Sequence, residues 1–263
     1  MLFNLPTENS RGSDYDEVNK LVIISHQGIG KTSACAQLPN SLILDLEDGY
    51  RDYFEGKSLN LKQIAASNNV PLGKVFIEAA AKIKAANAEK GGFAYDFVII
   101  DNLSAMDKLI RQKATNDFKN SIVGKGMISK GAVINDVVTD VPESGWMWYF
   151  KAYEDLYEIV TSLGRKTIIL GHTKQGSLIK DGIKIDASDM NLSGKAKTDL
   201  LRDVDACGSM YRKDENTVMI SFKTNTKDLT TKSRARHLTN QEFVISEMKD
   251  GKLVTYWDKI FKF

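Results

Sequence analysis

An α/β fold is what this 263-residue sequence predicts: a mostly parallel central sheet flanked by helices, with an antiparallel β-rich C-terminal extension. Three observations predict it. Four short apolar runs, at 21–24, 41–46, 97–100 and 167–170, read as strands buried on both faces. Segments of helical period separate the runs, which is βα alternation. Beyond residue 204 four strand-like runs succeed one another, and β-rich sequence fills the last third of the chain.

Residues 1–19 are polar, with Pro6, Ser10, Gly12 and Ser13, and read as an N-terminal arm. The rest, 20–263, reads as one domain. Leu21-Val22-Ile23-Ile24 forms the first strand, and a helix after it stops at Pro39. Ser41–Leu46 forms the second strand and runs into the acidic cluster Asp45, Glu47 and Asp48. Residues 51–70 read as irregular or weakly helical. Pro71–Lys90 reads as a helix: Leu72, Val75, Phe76, Ala79, Ile83 and Ala86 share a face, and Gly91-Gly92 closes it. Phe97–Ile100 is a third strand ending in Asp101, followed by a helix from Leu103 to about Asn116. Residues 119–145 are rich in glycine and polar side chains and read as a long loop or insertion. Trp146–Leu163 is helical with an aromatic face, whose tryptophans suit core or interface better than base stacking. Thr167–Leu170 is the fourth strand. Residues 172–195 form a polar segment with glycines and lysines. The last strands are Val204–Tyr211, Thr217–Phe222, Glu242–Ser246 and Leu253–Trp257, with Asp250-Gly251 as the turn between the last two.

The chemistry gathers at the strand ends. Ser25-His26-Gln27-Gly28-Ile29-Gly30-Lys31-Thr32 fits the phosphate-loop pattern G-x-x-x-x-G-K-[ST], except that Ser25 replaces the first glycine. In that pattern the backbone N–H groups of Gly28, Ile29, Gly30 and the residues through Ser33 cradle phosphates, and the helix start adds positive potential. Lys31 would reach the β- and γ-phosphates, and the Thr32 hydroxyl would hold Mg²⁺. Asp101, after four apolar residues, is placed for a metal-water ligand. Glu47 is the first choice for the carboxylate that activates water and Asp45 the second; a solvated acidic turn explains both equally well. His172, at the end of the fourth strand, is the candidate γ-phosphate sensor, or a histidine with only a local backbone partner. The expected cofactors are ATP and Mg²⁺.

The ordered set LVIISHQGIGKTSACAQLP, LILDLEDGY, FVIIDNLSAM and TIILGHTKQ resembles the RecA-like P-loop ATPases. It is most similar to the small phage single-strand annealing proteins of that superfamily. The resemblance runs from about residue 20 to 240. It implies a RecA-like core, ATP hydrolysis with Mg²⁺, assembly into a ring or filament, and binding of single-stranded DNA. Glu47 matches the family's catalytic carboxylate, Asp101 its metal-site carboxylate and His172 its polar sensor, after which the DNA-facing loop begins. Ser25 and the segment 119–145 depart from the family pattern.

Charge sorts the remaining functions. The chain has 36 Lys plus Arg against 34 Asp plus Glu, a net +2, which excludes a bulk polycation but not a local patch. Residues 223–237 hold Lys223, Lys227, Lys232, Arg234 and Arg236 against Asp228 alone. They could meet DNA phosphates, reach a neighbouring subunit's nucleotide, or form a solvated loop. By the resemblance, Lys223 and Lys227 best match the lysines that act in trans, and Arg234 is a further candidate. Lys174, Lys180 and Lys184, within 172–195, are candidates for tracking a DNA backbone. Arg234 and Arg236 are the one candidate for the Arg-rich lid of a small-molecule kinase, a reading that ranks below the ATPase. A nucleotide-dependent regulatory or assembly module acting on a protein partner is the alternative to DNA work. Two cysteines, Cys35 and Cys207, suit a reducing compartment. The N-terminus lacks the pattern of a secretory signal, and no apolar run approaches the ~20 residues of a membrane span. The expected location is the cytoplasm, that of the host if the protein is phage-encoded.

Overall fold

A computed structural model describes residues 17–49, 56–180, 183–192, 194–224 and 230–263. In chain order the first elements are β1 (Lys20–Ser25), α1 (Lys31–Ala36), β2 (Ser41–Asp45), β3 (Lys57–Asn60), α2 (Leu61–Ser67), α3 (Leu72–Lys90), β4 (Phe97–Asp101) and α4 (Leu103–Asn120). There follow α5 (Ile122–Ser129), α6 (Val137–Asp140), α7 (Gly145–Thr161), β5 (Lys166–Lys180), β6 (Ile183–Met190) and α8 (Gly194–Asp203). The chain closes with β7 (Ala206–Arg212), β8 (Thr217–Ser221), β9 (Lys232–Ser233), β10 (Glu242–Lys249) and β11 (Lys252–Thr255).

One sheet organises these elements, in the order β11-β10-β8-β7-β1-β5-β4-β2-β3, with β6 attached to β5 and β9 to β7. From β3 to β7 neighbouring strands are parallel; β8, β10 and β11 continue the sheet antiparallel. This is the α/β architecture that the run pattern predicts. The central strands are buried on both sides, which is why their sequences show no polar alternation. In β1, Val22 and Ile24 enter the core beneath α3, α4 and α7, while Leu21 and Ile23 enter the opposite core beside α1 and the C-terminal Trp257 and Phe261. The indole N–H of Trp257 donates to the Ala34 carbonyl at 2.8 Å, so the C-terminal segment braces α1.

Four segments differ from expectation. Within 51–70, read as irregular or weakly helical, α2 is a helix capped by Asn60, which accepts from Gln63 N–H at 2.8 Å, and the difference is β3, a parallel edge strand. Residues 119–145 are not one long loop. Helix α4 runs on to Asn120, Ser121 caps α5, and Asp136 caps α6. Gly124 and Gly126 lie inside α5, Gly145 begins α7, and Gly131 turns the chain after α5 (φ 92°); Gly124 and Gly145 pass so close to the Phe118 and Val137 carbonyls that a Cβ would meet them. Residues 172–190 are not a loop either. Strand β5 continues past the sheet edge to Lys180 and pairs antiparallel with β6 as a two-stranded ribbon. The end of the N-terminal arm is packed: Val18 is buried, and Asn19 accepts from Thr167 N–H at 2.7 Å. Among the described residues no helix is long and apolar enough to cross a membrane.

Candidate functional site

The parallel strands β2, β4, β5 and β1 all end on one edge, and the register fixes which residues face each other there. Asp45 lies beside Asp101, Asp101 beside Leu170, and Ser25 beside His172. Strand β5 sits between β1 and β4, so His172 comes between the loop after β1 and the carboxylate after β4.

The loop after β1 turns at Gly28 (φ 75°) and Gly30 (φ 103°). A Cβ at either glycine would have open space around it, so the left-handed backbone, not crowding, calls for glycine. Ser25 needs no such freedom, because it is the last residue of β1, and this accounts for the departure from the motif. Its hydroxyl accepts from Lys31 Nζ at 2.7 Å and donates to the His26 carbonyl at 2.7 Å. Lys31 therefore folds back along its own loop and is buried. Burial lowers its pKa, while Asp101 nearby pulls it upward.

Thr32 Oγ1 donates to Asp101 Oδ2 at 2.6 Å. Asp101 is nearly enclosed; burial raises its pKa, and the Thr32 hydrogen bond opposes the shift. A hydroxyl and a carboxylate held this close are hard oxygen donors, the kind that hold Mg²⁺ together with phosphate oxygens. Among the described residues no group of three His, Cys, Asp or Glu could form a metal site.

Glu47 and Asp45 take different positions. Asp45 is fully buried, and its Oδ1 accepts from Glu47 N–H at 2.9 Å, which shapes the turn after β2. The Glu47 carboxylate is part-exposed and lines a cavity of about 600 Å³ with His26, Gln27, Ser104, His172 and Thr173. This geometry favours Glu47 over Asp45 as the group that can meet water.

Asn102, which the sequence reading passed over, joins these parts. Its Oδ1 accepts from Ser104 N–H at 2.9 Å and Ala105 N–H at 3.2 Å, capping α4. Its Nδ2 donates to Glu47 Oε2 at 2.5 Å and to His172 Nε2 at 2.9 Å. The side chain is thereby fixed at one end by a helix start and bridges Glu47 and His172 at the other. A signal was present: Asn directly before a helical run is a preferred cap.

Accepting at Nε2 suits a neutral imidazole, and the His172 pKa is lowered, first by burial and then by Lys31, with Glu47 opposing. The imidazole's ordinary value is 6.5. Below it the unfolded chain takes up a proton that the folded protein refuses, so stability falls as pH drops from 6.5 toward the lowered pKa. His172→Gln should remove that slope. In urea titrations from roughly pH 5 to 7.5, the wild-type midpoint minus the variant midpoint should be flat above 6.5 and decline below it. A pH-independent difference would show that His172 titrates as it would in water.

The other candidates lie away from this edge. Lys174 is exposed two residues beyond His172, and its Nζ is 3.4 Å from the Leu192 carbonyl. Lys180 and Lys184 sit near the far end of the ribbon, paired with Ile183 and Ile179. Lys223 is ion-paired with Glu242 of its own chain. Lys227 lies outside the described residues. Arg234 follows β9, which pairs with the start of β7, so it sits by the sheet edge opposite the loop and hydrogen-bonds the Arg202 carbonyl. Arg234, one of the two arginines of the kinase reading, is therefore not placed to close over phosphates held by its own loop.

A profile described as an AAA domain matches residues 17–239. The chain belongs to the AAA-domain family. That membership places it among the P-loop ATPases, whose common property is nucleotide binding and hydrolysis, and the match spans every strand whose end contributes to the edge just described. No curated protein matches the chain.

Proposed function

We propose that this AAA domain is a Mg²⁺-dependent ATPase that binds single-stranded DNA and promotes annealing or recombination as a homo-oligomeric ring or filament of phage origin. One observation carries the ATPase reading. The pair Thr32–Asp101 and the group Glu47–Asn102–His172 converge on the edge where the glycine-turned loop and Lys31 stand.

Each residue then has a task. The backbone N–H groups of 28–33 bind phosphate oxygens, and Lys31 leaves Ser25 to meet the terminal phosphates. Thr32 and Asp101 would hold Mg²⁺, which would supply positive charge against the phosphates. Glu47 accepts a proton from water or orients it. Asn102 keeps Glu47 and His172 in register, and neutral His172 donates a hydrogen bond to a γ-phosphate oxygen without adding charge.

The DNA reading is supported by continuity. Strand β5 carries His172 on the nucleotide edge and Lys174 and Lys180 on the ribbon, so a shift at one end has a single strand through which to move the other. A specific observation favours a second reading, a nucleotide switch for a protein partner. Ile122, Val123 and Ile128 of α5 are exposed by 92%, 62% and 42%. ATPase rates with and without single-stranded DNA, across a salt series, separate the two. DNA work predicts stimulation that declines steeply with salt as counterions compete for the phosphates. An unchanged rate at low salt favours the switch.

A further inference from the structure

Among the described residues, the cavity that Glu47 and His172 line has two hydroxyl side chains in its wall, Ser104 and Thr173. Thr173 Oγ1 is engaged, 3.3 Å from His26 Nδ1. Ser104 Oγ is enclosed and has no hydrogen-bond partner. Ser104 stands in the first turn of α4, where no preceding helical turn offers the carbonyl that serines take further along a helix. A buried hydroxyl without a partner costs stability, so its presence calls for a reason outside the fold. Ser104 forms part of the wall while its oxygen is hidden, so the hydroxyl is turned from the cavity, and one rotation about χ1 brings it in. The Asn102 side chain that bridges Glu47 and His172 also accepts from Ser104 N–H at 2.9 Å, so the three residues gather round one amide.

We propose that Ser104 is a catalytic residue: its hydroxyl turns into the cavity when ATP is bound and accepts a hydrogen bond from the water that Glu47 activates. This role rests on the ATPase reading above and adds the second group that holds the water. A water between Glu47 and Ser104 gives one hydrogen to each, which leaves its lone pairs free for the γ-phosphorus. In the step itself the water oxygen bonds that phosphorus, and the bond from phosphorus to the β–γ bridging oxygen breaks, ADP leaving with the electron pair. One water proton passes to Glu47 and the other stays on the phosphate; Ser104 gives up none and so needs no base of its own. The hydroxyl gains in this state a partner that the fold does not give it, which favours the turn once the water is in place. Serine is common near helix starts, so its position in the sequence assigns Ser104 no role of this kind.

MgATP affinity, single-turnover hydrolysis and the urea midpoint without nucleotide test this role in wild type, Ser104→Ala and Ser104→Thr. Ser104→Ala should bind ATP as wild type does and hydrolyse it about 10- to 100-fold more slowly, the range of one hydrogen bond to a reacting group. Its midpoint should equal or exceed that of wild type, because the hydroxyl removed has no partner in the fold. Ser104→Thr, which keeps a hydroxyl, should recover most of the rate. ADP with aluminium fluoride, which mimics the phosphoryl group in transit together with the water, should bind Ser104→Ala more weakly by the same factor, while ADP alone binds both proteins equally. Unchanged hydrolysis in Ser104→Ala, or a slow rate with a lowered midpoint and equally weakened ATP binding, would overturn the role of Ser104 and leave the ATPase reading standing. Wild type that hydrolyses no ATP, with or without single-stranded DNA, would overturn the ATPase reading and this role with it.

Discussion

Lys31→Ala should lose ATP binding and turnover by about 10²–10³-fold while the protein stays folded, because one preorganised cation at a phosphate carries an effect of that order. The geometry makes the stability half of this prediction specific. Lys31 is buried against Ser25, and burial lowers its pKa below 10.5. The folded state thus resists charging this amine more than the unfolded state does. At neutral pH, below both values, that resistance works against folding, and it fades as pH rises toward 10.5. Lys31→Met, which keeps the buried stem and discards the charge, should therefore melt at or above the wild-type temperature without nucleotide, and ATP should no longer raise it. Thermal melts with and without MgATP read both halves. An ATP-induced rise in either variant equal to that of wild type would remove Lys31 from the phosphate site.

The strands and the loop were legible because they depend on local sequence. A strand buried on both faces must be apolar throughout, and Gly28 and Gly30 announce left-handed turns by their identity. What escaped reading depends on distant partners. Residues 119–145 look loop-like because Gly124, Gly126 and Gly131 lower helix propensity, yet Ser121 and Asp136 supply caps and Val137 and Val138 supply a buried face. Sequence alone counts the glycines and cannot see the close approach at Gly124 that makes one necessary. The ribbon was missed for a different reason: Ile183, Ile185 and Ala187 alternate with polar residues as a strand would, but the glycines and lysines around them read as a polar loop. Asn102 was visible as a cap but not as a bridge, because Glu47 and His172 reach it from positions 55 and 70 residues away in the chain.

Glu47→Gln should bind ATP as wild type does and hydrolyse it about 10²–10⁴-fold more slowly, the span that a lost general base commonly covers. The variant is a clean test because glutamine keeps the shape. Its amide oxygen can still accept from Asn102 Nδ2, so the link to His172 and the cap of α4 stay in place, and only the proton-accepting charge is lost. Asp45→Asn is the necessary companion. Asp45 is enclosed and already accepts from Glu47 N–H, so it has no path to a water in the cavity. An asparagine oxygen can keep that bond, and turnover should fall far less than in Glu47→Gln. Single-turnover hydrolysis with bound ATP separates chemistry from binding in both variants. Near-normal chemistry in Glu47→Gln with collapse in Asp45→Asn would transfer the base to Asp45. It would also mean that the turn after β2 opens when nucleotide binds, since the Asp45 carboxylate is enclosed and can meet water only if that cover moves.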